Sequence, residues 1–199
     1  TFSGTVVDSV LWSVTLAGSG QVLQTGGEVD LVTGLVAGSS AKIQSNSRAR
    51  FQYGTANSFR TVVVLPTGGV SGNVRRWGAF DTQNGYGFLM DGTGFSIFVK
   101  KNGSYTVIPS SSFSQPENFP GIDTNVHIYE VLYVTTKAWF LFDRKVIHII
   151  PTGNASLVGL HDHPITFENT NTGLSHDCVL RSLGTAILRY GGEFTAPEY

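Results

Sequence analysis

The sequence predicts an all-β chain, an antiparallel β-sandwich of jelly-roll, lectin-like architecture. Three observations carry that expectation. Apolar and polar residues alternate with a period of two in one segment after another. No segment sustains apolar residues at three-and-four spacing over more than three turns, and gaps rich in Gly, Ser, Thr and Asn separate the segments. The first elements are VLWSVTL at 10–16 and EVDLVT at 28–33. From Ala41 to Tyr53 the odd positions are Ala41, Ile43, Ser45, Ser47, Ala49, Phe51 and Tyr53, while Lys42, Gln44, Asn46, Arg48, Arg50 and Gln52 fill the even ones, as a half-buried strand requires. RTVVVLP at 60–66 follows. A meander then runs through Arg76–Asp81, Tyr86–Met90 and Phe95–Lys100, with Gly92 and Gly94 suited to the second turn. Alternation puts Tyr86, Phe88 and Met90 on one face and Leu89 on the other. Ser110–Asn125, with Pro116, Pro120 and Gly121, reads as the longest irregular loop. Beyond it come HIYEVLYVTT at 127–136, a hairpin of AWFLF and VIHII turning at Asp143 and Arg144, then PITFEN and VLRSLGTAILRY.

Length and composition bound the function. A chain of 199 residues fits a single domain over 1–199, large enough to bury roughly 70% of its unfolded surface without a staple. It begins at Thr1 and its only methionine is Met90, as expected of a segment excised or processed from a longer chain. Net charge is −1 and 14% of residues are charged, so no nucleic-acid or membrane partner is expected from electrostatics. No apolar run is long enough for a membrane helix, and no signal peptide opens the chain. A lone Cys178 excludes an internal disulfide.

Candidate chemistry is sparse. His161 and His163 could share a metal with His176 or Cys178, but a His-x-His pair without a third ligand reads as a polar loop, and no metal or cofactor is expected. Asp81, Asn84 and Asp91 offer hard oxygens, yet their places beside turns suit side-chain caps of the backbone. Cys178, followed by Val179 and Leu180, reads as buried and inert. Glycoside hydrolysis needs two carboxyls held about 5–10 Å apart, and no pair among 14 acids stands out in the sequence. No nucleophile elbow, phosphate loop or metalloprotease helix occurs, so no catalytic residue is nominated. The ligand-binding candidates are Arg48 and Arg50, placed on one strand face, together with Tyr86 and Tyr105. Arg60, Arg75 and Arg76 bring five of eight arginines within 29 residues. Trp77 and Phe80 read as structural, with Gly78 leaving room for a large ring.

Three runs, LVAGSSAKIQSNSRARFQYG, NVRRWGAFDTQNGYGFLMDGTGFSIFVKKNG and PITFENTNTGLSHDCVLRSLGTAILRYGG, together resemble a β-sandwich module of virion structural proteins in tailed phages and related large DNA viruses. The resemblance covers roughly residues 35–192 and brings no catalytic residues. It implies a non-enzymatic virion structural protein of capsid or tail surface, assembled in the host cytoplasm and partnered by copies of itself and other virion proteins. The alternative is a carbohydrate- or receptor-binding module of a phage tail or fibre, with a host-surface glycan as partner and exposed Trp12, Trp77, Tyr86 or Tyr105 as stacking rings. A glycan-degrading enzyme on the same scaffold is the third reading. Strands such as Val146–Ile150, apolar on both faces, predict an assembly, with a homotrimer first by analogy with phage spikes.

Overall fold

The computed structural model describes residues 2–50, 55–134, 137–151, 161–173 and 177–190. In chain order the strands are β1 (Trp12–Ala17), β2 (Gln21–Thr25), β3 (Glu28–Val32), β4 (Ser40–Ala49), β5 (Ala56–Val64), β6 (Asn73–Phe80) and β7 (Gly85–Asp91). They continue as β8 (Gly94–Lys101), β9 (Ser104–Pro109), β10 (His127–Tyr133), β11 (Ala138–Phe142), β12 (Lys145–Ile150), β13 (His163–Asn171) and β14 (Val179–Tyr190). Two single-turn 3-10 helices, Ser110–Ser112 and Pro116–Asn118, interrupt the long loop before β10.

The strands form two seven-stranded antiparallel sheets. The first runs β1-β4-β13-β6-β7-β8-β9 and the second β12-β11-β10-β5-β14-β3-β2. Turn chemistry fixes the hairpins. Asn102 and Gly103 (φ 50° and 81°) join β8 to β9, and Asp143 and Arg144 (φ 47° and 67°) join β11 to β12, each with the paired positive φ of a two-residue turn matched to strand twist.

Between the sheets lies one continuous core. From the first sheet it takes Ile43, Trp77, Tyr86, Phe88, Met90, Ile97 and Phe167, and from the second Leu31, Phe59, Tyr129, Val131, Phe140 and Ile147. Period-two alternation explains the selection, since Tyr86, Phe88 and Met90 share the inner side of β7 while Leu89 joins a second apolar patch outside with Val74, Phe80 and Phe98. Tyr86 was expected at a ligand. Instead its ring is fully buried, tilted against Tyr133 at 5.1 Å and edge-on to His163 at 5.9 Å.

One end of this interior is polar. Asn169 of β13 donates through Nδ2 to the Leu31 and Cys178 carbonyls at 2.8 and 2.7 Å, so a first-sheet side chain hydrogen-bonds second-sheet backbone. Arg75, fully buried, donates to Asn73 Oδ1 at 2.6 Å, to the Gly68 carbonyl at 2.6 Å and to the Val179 carbonyl at 3.2 Å. In the sequence Arg75 is one of five clustered arginines; in the fold it is an inter-sheet strap.

β12 does not present the apolar surface expected of it. Val146 packs outward into a patch with Leu132 and Trp139, and Ile147 and Ile150 point into the core, so both faces are covered within this chain.

At the β10–β11 end, His127 Nε2 lies 2.9 Å from Asp123 Oδ1 and Nδ1 lies 2.8 Å from Asp143 Oδ2, while Asp143 Oδ1 accepts the Ile128 amide. Burial alone would lower the imidazole pKa, but the two carboxylates outweigh it and raise the value above 6.5. A raised folded pKa contributes stability that is present below the unfolded value and lost as pH rises through the folded one. Tm is therefore expected to fall as pH climbs from about 6 to 8, by roughly 2–4 °C at most because the cluster is half in solvent, and His127→Gln should flatten that slope. Thermal melts at fixed ionic strength give the answer; equal slopes in both proteins would contradict it.

Candidate functional site

The outer face of the first sheet carries cationic, anionic, aromatic and neutral polar side chains together. Register places Lys42, Glu168, Arg76, Leu89 and Ser96 in one row across β4, β13, β6, β7 and β8. The next row holds Gln44, Thr166, Gly78, Gly87, Phe98 and Val107, and beyond it Lys100 lies directly opposite Tyr105. A Cβ at residue 87 would sit 2.7 Å from the Phe98 ring, so only glycine lets that ring settle onto the backbone of β7.

Tyr105 stands at the open side of this face. Its ring packs edge-on to Phe98 at 5.2 Å, and Phe98 packs edge-on to Phe80 at 5.1 Å. Lys100 Nζ lies 4.6 Å and the Arg76 guanidinium 5.2 Å from the Tyr105 centroid, both within cation–π range. Arg76 Nη1 reaches Glu168 at 3.8 Å, and Glu168 is also held by Lys42 at 3.2 Å. At 38% exposure Tyr105 is the most open aromatic ring among the described side chains; Trp12, Trp77 and Trp139 are all buried.

The other expected residues go elsewhere. Arg48 and Arg50 do meet, at a rim cleft of about 520 Å³ between the sheets, with Ser45, Asn57 and Arg189 beside them. Arg48 is already engaged, 2.7 Å from Asp81 Oδ2. Asp81 Oδ1 also accepts the Gln83 and Asn84 amides; burial would raise its pKa, but the amides and Arg48 together pull it below the usual carboxylate value. Asp81 is thus a turn cap at one end of β7, with Asp91 at the other, so the two do not share a cation. The five clustered arginines scatter: Arg60 pairs with Glu130 on the second sheet's outer face, Arg75 is internal and Arg76 lies on the first sheet.

His161 is exposed and His163 faces Tyr86 and Tyr133 in the core, so the pair does not converge; His176 lies outside the described residues. No group of three potential metal ligands occurs among the described residues. Cys178 is buried, and burial pushes its thiol pKa up, which leaves it a weak nucleophile.

Sequence reasoning missed Arg76, Lys100 and Phe98 as companions of Tyr105. The signal was the Asn102-Gly103 dipeptide after an alternating strand, which sets SYTVIP back against β8 and Tyr105 opposite Lys100.

No protein-family model and no curated protein matches the sequence. Solved structures do. A β-1,3-glucanase from Mycobacterium marinum superposes with TM-score 0.70 over 94% of this chain and 96% of its own, at 12% identity. The fold is a jelly roll shared with glycoside hydrolases. A structure from work on endo-acting O-glycanases of the human gut microbiota, which initiate mucin breakdown, gives TM-score 0.71 over 96% of this chain and 97% of that one, at 13% identity. A pseudo β-1,3-glucanase of Mycobacterium tuberculosis gives TM-score 0.66 over 96% and 97%, at 14% identity.

These neighbours correct two expectations. The sandwich half of the viral resemblance holds, but the matching structures are bacterial glycoside-hydrolase-like proteins, so assignment as a virion, capsid or phage-tail component falls. The expectation of a non-enzymatic chain falls with it, since the neighbours include named glucanases. The reason is physical: Asn-Gly and Asp-Gly turns and alternating strands record hairpin geometry, which sandwiches of unrelated function share.

Proposed function

We propose that this chain recognises a glycan laid against the outer face of the first sheet, with Tyr105 as the aromatic contact. The exposed ring carries the reading, because sugars present apolar C–H faces and polar rims, and here an aromatic surface adjoins Lys100, Arg76 and Ser96 on one sheet face. The names of the neighbours, glucanases and mucin O-glycanases, support a β-linked glucan or an O-glycan as the class to try first.

Binding of soluble β-1,3-gluco-oligosaccharides and mucin O-glycans, followed by calorimetry, tests the proposal. Tyr105→Ala is expected to weaken binding about tenfold, roughly 1.4 kcal/mol, while Tm stays within about 2 °C because the ring lies on an edge strand. Absence of binding to either glycan, or an unchanged affinity in the variant, would sink it.

The glucanase and glycosyl hydrolase names also favour a second reading, hydrolysis of the bound chain. Among the described strands of the first sheet the carboxylates are Glu168 on β13 and Asp91 at the end of β7. From the register their Cα atoms lie two strands and two residues apart, roughly 12 Å. Release of reducing ends by the native protein and its loss in Glu168→Gln would establish turnover at this face.

A further inference from the structure

We infer that the glycan recognised at Tyr105 bears an anionic substituent, a carboxylate or a sulfate ester, that is received by Arg76 and Lys100. The inference rests on the glycan reading and names the ligand more closely. Its basis is a difference in how this molecule treats its cations. Arg60 donates twice to Glu130 Oε2, at 3.0 and 2.9 Å, and Arg181 is bidentate on Asp30 at 2.7 and 2.8 Å. Arg48 has Asp81 at 2.7 Å. Arg76 has no such partner: its one ionic contact, to Glu168, is 3.8 Å long, and Glu168 is closer to Lys42. Its Nε is buried and finds no acceptor. Lys100 uses its ammonium for one bond, to the neutral Asp81 carbonyl at 3.1 Å.

Both groups therefore hold donors in reserve. A guanidinium offers five N–H groups and an ammonium three, more than Arg76 and Lys100 use in the contacts above. The Tyr105 ring faces both cations, but a neutral ring does not replace a counter-ion. Trigonal or tetrahedral oxyanions fit the planar fork of Arg76, and Lys100 adds a point charge from two strands away. In a chain with 14% charged residues and a net charge of −1, Arg76 and Lys100 place two cations on one exposed ring.

The test compares three probes of equal length by calorimetry: a neutral β-1,3-gluco-oligosaccharide, the same oligosaccharide carrying sulfate esters, and an oligouronate. The sulfated chain, the oligouronate or both should bind at least about tenfold more tightly than the neutral one, and which of them does so separates sulfate from carboxylate. The advantage should shrink as salt rises from about 0.05 to 0.5 M, where screening shortens to a few ångströms. Arg76→Met with Lys100→Met, which keeps the apolar stems over the sheet, should erase the difference between the anionic probes and the neutral one, whatever happens to the affinity common to all three. Arg76→Lys should retain part of that difference. Equal binding of all three probes would overturn the inference and leave the glycan reading standing. Failure of all three to bind would overturn both. A preference that persists in the double variant would place the anion elsewhere and overturn the assignment to these residues.

Discussion

Trp77→Ala is expected to destabilise the fold by about 3–5 kcal/mol, a large part of the stability of a domain this size. Trp77 is fully buried, stacked on Phe88 at 6.1 Å and edge-on to Tyr129 at 5.0 Å, so its loss opens a cavity where the two sheets meet. The surrounding rings are rigid and cannot collapse into that space. Urea denaturation should show a lower midpoint with Tm down by about 10 °C or more, or the protein should be recovered insoluble. The indole Nε1 has no acceptor, so part of the side chain's packing gain is cancelled by an unmet donor. Trp77→Phe should accordingly cost less than half as much as Trp77→Ala. Equal losses in the two variants would show that the N–H is satisfied by water and that ring volume alone does not decide.

The second large effect is expected at Arg75. Its hydrogen bonds to Asn73, Gly68 and Val179 go to neutral oxygens, the Cys178 side chain is a further partner, and burial lowers its pKa. Arg75→Met preserves much of the volume but strands the Gly68 and Val179 carbonyls and Asn73 Oδ1, and a loss of about 3–5 kcal/mol is expected from breaking such a buried charged network. Arg75→Lys should rescue little, because one ammonium cannot span three acceptors held in the geometry of a fork. Equilibrium unfolding of both variants reads this directly; a Met variant as stable as the native chain would mean that the interior tolerates an apolar replacement here.

Much of the architecture was legible because alternation and turns are local. The meander through β6, β7 and β8, the loop at Ser110–Asn125 and the turn at Asp143–Arg144 all follow from patterns a few residues long. β2 and β9 escaped notice since edge strands bury little: β9 is mostly exposed, and Gln24 is the one buried residue of β2. The starts of β5 and β6 lay earlier than expected for a different reason. Asn57, Ser58, Asn73 and Arg75 are polar yet buried, and what satisfies Ser58, Asn73 and Arg75 comes from residues such as Glu130, Asn169 and Val179 that lie far along the chain. Periodicity sees one strand at a time, so partners supplied by another strand, in the same sheet or the facing one, are invisible to it.

The same limit governed the site. Tyr86 and Tyr105 look equivalent as tyrosines beside glycine turns, but Tyr86 faces the core from a central strand while Tyr105 lies on the outer face of an edge strand. Arg76 belongs to the Tyr105 cluster only because β6, β7, β8 and β9 lie side by side in that order.

The β8–β9 hairpin therefore separates two kinds of selection. Its inner residues, such as Ile97, answer to the core, whereas Tyr105 and Val107 project from the last strand of the sheet and are held by backbone pairing to β8. Substitutions along that outer strip can change what the surface prefers at little thermodynamic expense, so ligand preference can drift through the β9 segment while the rest of the sandwich stays fixed. A library confined to residues 104–109 would then yield many soluble variants that differ in what they bind, and the equivalent library on β7 would yield few that fold.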